Sequence, residues 1–147
     1  KSFQKKYSSY GQGDVCNDKL LYEYVSQLKK RYLKSAPPLS RICFDKKVSL
    51  EKQALGLFSI IPRVQGRKIK SKHTIHIAEQ FKKAPEPILR VIVVHELAHL
   101  RERDHSKSFY KLCTHIEPEY HSLEFDMRLW LALQDYKSKK KSQIESK

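Results

Sequence analysis

The chain has 147 residues and a formal net charge of +14, from 30 lysines and arginines against 16 aspartates and glutamates. This length supports a single domain with a sizeable core, and no apolar run approaches the roughly 20 residues of a membrane-spanning helix. The three cysteines are odd in number and scattered, which indicates reduced thiols rather than a disulfide framework. We therefore expect a cytoplasmic protein without a membrane partner, and we take it to be a monomer.

The first half of the chain predicts one helix followed by a small sheet. Asn17 or Asp18 is a suitable N-cap for an amphipathic helix, which Pro37 and Pro38 are expected to end. Apolar and alternating stretches then predict three short strands arranged as a meander. These strands are expected at residues 41–45, 54–63 and 72–78.

The second half predicts three helices. Pro87 is placed where the first turn of a helix tolerates proline, and the apolar run from Ile88 to Val94 would bury that helix. Ser106 is a suitable cap for the next helix, and an apolar pattern over 123–133 predicts the last one. This order predicts an α+β fold, in which a small antiparallel or mixed sheet packs on the buried helix. The expected division is a flexible segment at 1–16, a folded domain at 17–136 and a basic, disordered tail at 137–147.

The apolar run leads directly into His-Glu-Leu-Ala-His, which begins at His95. His95 and His99 lie one helical turn apart on the same face, so their imidazoles can share one metal ion. Glu96 is then placed to reach a water molecule on that metal. A catalytic zinc needs a third protein ligand and an open fourth position. His105 supplies that ligand if the helix ends near Arg103 and the chain bends back.

A metal site is favoured over a purely structural role, because two imidazoles and a carboxylate buried without a metal or partners would cost several kcal/mol. The metzincins share the histidine spacing but have a glycine where this chain has Glu102, so here Arg103 and Asp104 must make the turn. Other third ligands stay open beside His105. They are His115, His121, Glu117, Glu119 and Glu124.

The stretch from Val93 to Leu100, continued by Asp104-His105-Ser106 and by Phe109, resembles the YgjP-like branch of the SprT-type zinc metallopeptidases, which have a small zincin fold. The resemblance extends over about residues 20–133. It implies a metallopeptidase acting on protein or peptide substrates, with one zinc ion per chain. The ligands it implies are His95, His99 and His105, and the general base it implies is Glu96.

Three further side chains are candidates for supporting roles. Tyr120 is a candidate for stabilising a developing oxyanion, but a buried tyrosine with a satisfied hydroxyl is the favoured interpretation. A carboxylate such as Asp104 or Glu124 is expected to hydrogen-bond one of the metal-binding histidines.

The positive charge makes nonspecific nucleic acid a candidate partner, and proteins associated with nucleic acid candidate substrates. Basic residues cluster at 29–34, 63–72 and 137–141. Two other functions stay open. YbeY-like endoribonucleases space their histidines similarly but have a glycine where this chain has Glu96, and a glutamate there favours amide hydrolysis. A nucleic-acid-binding module with a structural metal would have no use for an open coordination position.

Overall fold

The computed structural model describes residues 2–11, 13–48, 56–65 and 68–145, and it describes side chains for these residues other than 2, 4, 56–65 and 68–72. The expected beginning of the second strand at Ala54 and the expected turn at Gly66 lie outside the described residues. The helices and strands in the described ranges are α1 (Ser2–Lys6), α2 (Asp18–Tyr32), β1 (Leu39–Asp45), β2 (Gly56–Gln65), β3 (Lys68–Ala78), a 3₁₀ helix (Glu79–Lys83), α3 (Glu86–Ala98), α4 (Lys107–Ile116) and α5 (Tyr120–Glu145).

Helix α2 begins as its sequence predicts and ends earlier. The side chain of Asn17 accepts a hydrogen bond from the backbone N–H of Leu20 at 2.9 Å, which confirms the N-cap. The helix ends at Tyr32, before Pro37 is reached, so the prediction that the two prolines end it is wrong. Leu33 leaves the helical conformation and is fully buried, which indicates that its burial in the core sets the end of α2.

The sheet is mixed, and its topology differs from the predicted meander. Strand β3 lies in the centre, parallel to β1 and antiparallel to β2, in the order β1-β3-β2. In β3, Ile75 and Ile77 are fully buried and Thr74 is 2% exposed. Because neighbouring residues of a strand point to opposite faces, β3 is covered on both faces, as suits a central strand.

Helix α3 lies at the middle of the fold. It packs against β2, β3, α4 and α5, and its side chains are buried except for Glu86, Arg90 and His95. Pro87 lies in its first turn, as predicted. The α+β fold class and the packing of a small mixed sheet on this helix are confirmed. In the part of the chain that the structure describes, no helix combines the length and apolar character needed to cross a membrane.

The N-terminal segment, expected to be flexible, is tied to helix α5. Tyr7 is only 6% exposed, and its hydroxyl donates a hydrogen bond to the Asp126 carboxylate at 2.5 Å. Lys6 Nζ lies 2.7 Å from the same carboxylate oxygen, on a side chain that is about half exposed. A buried aromatic ring with a satisfied hydroxyl therefore attaches the segment to the core.

Helix α5 also extends further than the apolar pattern predicts. Residues 137–145, expected to be a disordered tail, form its exposed last turns. Lysine and glutamine are good helix formers, and the side chains of Lys139 and Asp135 pair across one turn at 3.1 Å. Helix propensity therefore accounts for the extension, since an exposed pair of this kind contributes only a few tenths of a kcal/mol.

An Asp126→Asn variant is expected to lower the free energy of unfolding near neutral pH by about 1–3 kcal/mol, since it weakens two hydrogen bonds to a carboxylate. Burial alone would raise the pKa of Asp126, but the bonds from Lys6 and Tyr7 outweigh burial and the pKa is lowered. A lowered carboxyl pKa contributes stability above the unfolded value near 3.9, and this stability is lost as the pH falls through the folded pKa. Urea unfolding at pH 7 and below pH 4 checks this.

The matched control is Asp135→Asn on the exposed part of the same helix, which should change the free energy of unfolding by less than about 0.5 kcal/mol. Equal destabilisation by the Asp126 variant at both pH values would contradict the linkage argument.

Candidate metal centre

Three histidines from two neighbouring elements meet at the end of α3. His95 lies in the last turn of α3, and His99 is its C-cap. The regular helix ends at Ala98 rather than near Arg103 as expected. Short turns follow it, and in one of them the N–H of Arg101 donates a hydrogen bond to the carbonyl of Ala98. These turns bring the chain back without the glycine of the metzincins.

His105 lies just before α4 and reaches the other two histidines from the far side of this loop. Ser106, the next residue, caps α4 by accepting a hydrogen bond from the backbone N–H of Phe109 at 3.3 Å, as predicted. Because the cap fixes the start of α4, it also positions the residue in front of it.

The three imidazoles are close enough to share one ion. One ligand atom from each of His95, His99 and His105 lies within 4.8 Å of the other two. The Nε2 atoms of His99 and His105 are 3.2 Å apart. Tetrahedral zinc with bonds of 2.0–2.1 Å would separate two ligand nitrogens by about 3.3–3.4 Å. The cluster is therefore compatible with a metal ion of this size.

Hydrogen bonds at the outer ring nitrogens direct two of the histidines toward the centre. His99 Nδ1 lies 2.9 Å from the backbone carbonyl oxygen of Glu102, which can only accept, so Nδ1 carries the proton. Its Nε2 then carries a lone pair for a metal ion. The assignment is the usual one for a metal-binding histidine, whose second nitrogen donates to a carbonyl or carboxylate.

His95 is held by Tyr120 in a two-step chain. The Tyr120 hydroxyl donates to Glu124 Oε2 at 2.9 Å and lies 2.9 Å from His95 Nδ1. Since the hydroxyl proton is used on Glu124, His95 Nδ1–H must donate to the hydroxyl oxygen, which leaves Nε2 for the metal. Burial, with the nearby Cys113 and Glu124 adding to it, raises the pKa of Tyr120, so the hydroxyl keeps its proton.

Tyr120 is therefore an orienting residue rather than a group facing substrate. It is fully buried, which agrees with the favoured interpretation of the sequence. The expected carboxylate reaches His95 only indirectly, because the Tyr120 hydroxyl is the partner of His95 Nδ1 and Glu124 accepts the hydrogen bond of that hydroxyl. The hydroxyl that joins them could not be placed from sequence, because Tyr120 lies 25 residues beyond His95 and the contact depends on how α5 packs against α3.

The surroundings of His95 and His99 favour their neutral form. Burial, and after it the positive charges that His99, His105 and Arg128 can carry, lowers the pKa of His95 to about 3. Burial also lowers the pKa of His99, although the bond to the Glu102 carbonyl opposes it. Neutral imidazole is the form that binds a metal ion, so His95 and His99 would need no deprotonation at neutral pH to bind one.

Phe109 packs against the histidine cluster. From the sequence it was recognised only as part of the family motif. It is fully buried, and its ring centroid lies 4.7–5.0 Å from the three histidine rings. Its position three residues after the Ser106 cap was the available signal. A buried ring in contact with all three imidazoles restricts their orientations.

Glu96 is placed beside the cluster. Glu96 is 3% exposed, and its Oε2 lies 3.8 Å from His95 Nε2, on the side of the ring that faces the centre. The structure thus brings together all four residues that the sequence singles out: His95, His99, His105 and Glu96. Their roles as metal ligands and general base stay predictions.

The rival third ligands lie elsewhere. His115 packs its ring against Tyr32, and Glu117 pairs with Arg90 at 2.9 Å. Glu124 is engaged by Tyr120. Among the described residues, the three-histidine cluster is the one group of histidine, cysteine and acidic side chains with metal-binding geometry.

A Tyr120→Phe variant is expected to weaken metal binding by about tenfold to a hundredfold, because His95 loses the acceptor that orients it. The measurement is a titration of the metal-loaded protein with a competing chelator. Tyr110→Phe is the control, since it removes a hydroxyl from a ring packed against Tyr120. Equal affinity in the wild type and the Tyr120 variant would contradict the orienting role.

Comparison with known proteins places this centre in a family. Residues 66–129 match the model of the YgjP-like family, which is described as a metallopeptidase domain. The chain is 53% identical over 121 residues to the UTP pyrophosphatase of Escherichia coli strain K12, and the alignment covers 82% of this chain and 72% of that protein. No solved structure matches the chain significantly. The family match includes the metal centre together with Tyr120 and Glu124.

Proposed function

Because the chain belongs to the YgjP-like family, we propose that it is a metal-dependent hydrolase of nucleoside triphosphates, which cleaves a phosphoanhydride bond of UTP. The family predicted from the motif at His95 is thereby confirmed. The observation that carries the hydrolytic part of the proposal is the cluster of His95, His99 and His105 with the Glu96 carboxylate beside it. A metallopeptidase and a pyrophosphatase both add water across a bond, so hydrolysis is common to the family and the relative.

The substrate is inferred from the relative and from charge. The relative that is 53% identical over 121 residues is named for its action on UTP. A peptide substrate is suggested only by the description of the family as a metallopeptidase domain. A formal charge of +14 also favours a polyanion over a neutral amide. For these reasons we propose a nucleotide substrate in place of the peptide substrate expected from the sequence.

We propose Zn²⁺ as the ion, with one per chain. Three neutral imidazoles and an open fourth position are the ligand set of a catalytic zinc site. The 3.2 Å separation between the Nε2 atoms of His99 and His105 supports this choice. When bound, the ion would supply Lewis-acid chemistry, which activates water and offsets negative charge on phosphate.

The role of Glu96 follows from its position. As a water oxygen forms a bond to the α-phosphorus of UTP, the Glu96 carboxylate accepts a proton from that water. The bond from the α-phosphorus to the bridging oxygen breaks, and that oxygen leaves with pyrophosphate. The products are UMP and pyrophosphate, and the proton returns to solvent. Burial of Glu96 limits competition from bulk water.

Peptide hydrolysis is the second candidate. A glutamate that directly follows the first histidine of a His-Glu-x-x-His helix is the general base of many metallopeptidases, and Glu96 is so placed. The description of the family agrees with it.

One assay separates the candidates. Zinc-loaded protein is incubated with UTP, the other nucleoside triphosphates, a peptide library and a short RNA, and the products are identified by chromatography and mass spectrometry. We expect UMP and pyrophosphate from UTP, with loss of both after chelation. Cleavage of peptides with UTP left intact would replace the proposal by the second candidate, and cleavage inside the RNA would favour the endoribonuclease alternative.

Nonspecific nucleic acid is a proposed partner as well. Lys29, Lys30 and Lys34 line a groove of about 310 Å³ beside the start of β1. The basic side chains at 63 and 67–72 lie outside the described side chains. Binding through phosphates should weaken by about 0.7–0.9 log units per contact for each decade of salt. A titration of labelled RNA and DNA at two salt concentrations checks this, and an affinity independent of salt would contradict it.

A further inference from the structure

The groove of about 310 Å³ beside the start of β1 contains an aromatic ring as well as lysines. Tyr22, Lys29 and Lys30 line it from helix α2. Lys34 lines it from the loop after this helix, and Leu39 from the strand. Tyr22 precedes Lys29 and Lys30 by seven and eight residues, about two helical turns, so the three lie on one side of α2. The groove therefore combines a ring with positive charges.

Tyr22 has no contact in the fold that accounts for an aromatic residue at this position. It is 47% exposed. Among the described residues no aromatic ring packs against it, and its hydroxyl has no hydrogen-bond partner. Nucleic-acid bases stack on exposed aromatic rings of this kind whatever their sequence, since every base has a flat π-face. The ring of Tyr22 is therefore available to a base that enters the groove.

The three lysines of the groove carry charges that the protein does not neutralise. Lys29 Nζ donates a hydrogen bond to the backbone carbonyl of Ala36 at 3.1 Å, and this acceptor has no charge. Lys30 and Lys34 are exposed. None of the three lysines makes an ion pair within the part of the chain that the structure describes. Their charges add to the formal charge of +14, so the groove attracts phosphates.

The basic surface continues from the groove toward the metal centre. The guanidinium of Arg101 donates a hydrogen bond to the hydroxyl oxygen of Ser35 at 3.0 Å, and Ser35 directly follows Lys34. Arg101 lies in the loop between His99 and His105. Basic residues of two separate loops are therefore neighbours at this end of the groove, which suits a polyanion longer than one phosphate group.

We propose that this groove binds a single strand of nucleic acid, with one base stacked on Tyr22 and the backbone phosphates held by the lysines. A basic groove with an aromatic ring is the pattern of proteins that bind single strands without sequence preference. A duplex fits less well, because its bases are already stacked on one another. This inference rests on the nucleic-acid partner proposed with the function, and not on the hydrolysis of UTP.

The stacking is tested by the binding of a fluorescent single-stranded oligodeoxynucleotide of about ten residues, a length within the usual size of such sites. Fluorescence anisotropy gives the Kd, and circular dichroism checks the fold of each variant. Tyr22→Ala is expected to raise the Kd by about fivefold to a hundredfold, whereas Tyr22→Phe keeps the ring and should stay within about twofold. Tyr136→Ala is the matched control, because Tyr136 is 64% exposed and lies on α5.

The phosphate contacts are tested by the dependence of the Kd on salt. Combining Lys30→Gln with Lys34→Gln should lower the slope of log Kd against log salt by about 1.4, since each phosphate contact to a single strand contributes about 0.7. The control combines Lys46→Gln with Lys47→Gln, which removes the same charge from the turn after β1, roughly 20 Å along the strand from the groove. This control should keep the slope of the wild type.

Each remaining outcome overturns the inference or supports it. Equal weakening by Tyr22→Ala and Tyr136→Ala, or by the two lysine pairs, overturns it, because the effect would not belong to the groove. Tighter binding of a duplex of the same sequence overturns the preference for a single strand. Displacement of the oligonucleotide by UTP at an equal concentration of phosphate overturns it as well, since the groove would then bind free nucleotide.

Hydrolysis of UTP is measured on the same preparations, so the two proposals can fail separately. Binding through Tyr22 in a protein that leaves UTP intact supports the inference and contradicts only the proposed hydrolysis. A wild-type Kd above about 10⁻⁴ M for the single strand, the nonspecific limit, overturns the inference together with the nucleic-acid partner and leaves the hydrolysis standing.

Discussion

A Glu96→Gln variant is expected to keep its metal ion and lose hydrolytic activity, with kcat reduced by about 10²–10⁴-fold, the usual contribution of a general base. Glutamine has nearly the same shape as glutamate but cannot accept the proton of the attacking water. Glu96 is 3% exposed, so an isosteric replacement is needed to keep the packing at the end of α3. The measurement is kcat for UTP together with metal content by elemental analysis.

Two outcomes decide the role of Glu96. If the variant retains more than about a tenth of the wild-type kcat, Glu96 is not the general base. If it loses its metal along with its activity, Glu96 supports the site rather than the reaction. Glu119→Gln is a control, because that residue is exposed and lies on the loop before α5.

A His105→Ala variant is expected to lower metal affinity by more than about a hundredfold. Loss of a residue that hydrogen-bonds a metal ligand typically lowers the affinity by about 10–100-fold, and loss of the ligand itself should have a larger effect. His105 is exposed and lies in the loop before α4, so the truncation should leave the core intact. Metal content after dialysis against a weak chelator, with circular dichroism as a check of the fold, measures this.

His115→Ala and His121→Ala are the matched controls, because both were candidates for the third ligand on sequence grounds. The ring of His115 packs on Tyr32, and the ring of His121 packs on Tyr110 and Tyr120. Both variants should keep their metal. Full metal content in His105→Ala would transfer the role of third ligand to one of the rivals.

The sequence by itself determined the features that depend on neighbouring residues. The angle of about 100° per residue in a helix places His95 and His99 on one face, and no tertiary contact is needed for that inference. The caps at Asn17 and Ser106 and the proline at position 87 were likewise predictable, because each acts on backbone groups within one turn. The family followed from the same local motif.

The tertiary structure decided what depends on distant residues. The central place of β3 agrees with its burial on both faces, and its parallel pairing with β1 depends on the path of the chain between the strands, which a pattern of alternation does not reveal. The hydroxyl of Tyr7 bonds to Asp126, which lies on the last helix. The residues next to Tyr7 in the sequence therefore could not predict that this segment is attached to the core.

The metal centre divides in the same way. Helical spacing placed two of its histidines, whereas the approach of His105 depends on the turn after Ala98 and on the packing of α4. The hydrogen bond from His95 to Tyr120 depends on the packing of α5 against α3. Contacts of this kind form when side chains fill a shared core, and their free energy depends on the whole arrangement rather than on any one segment.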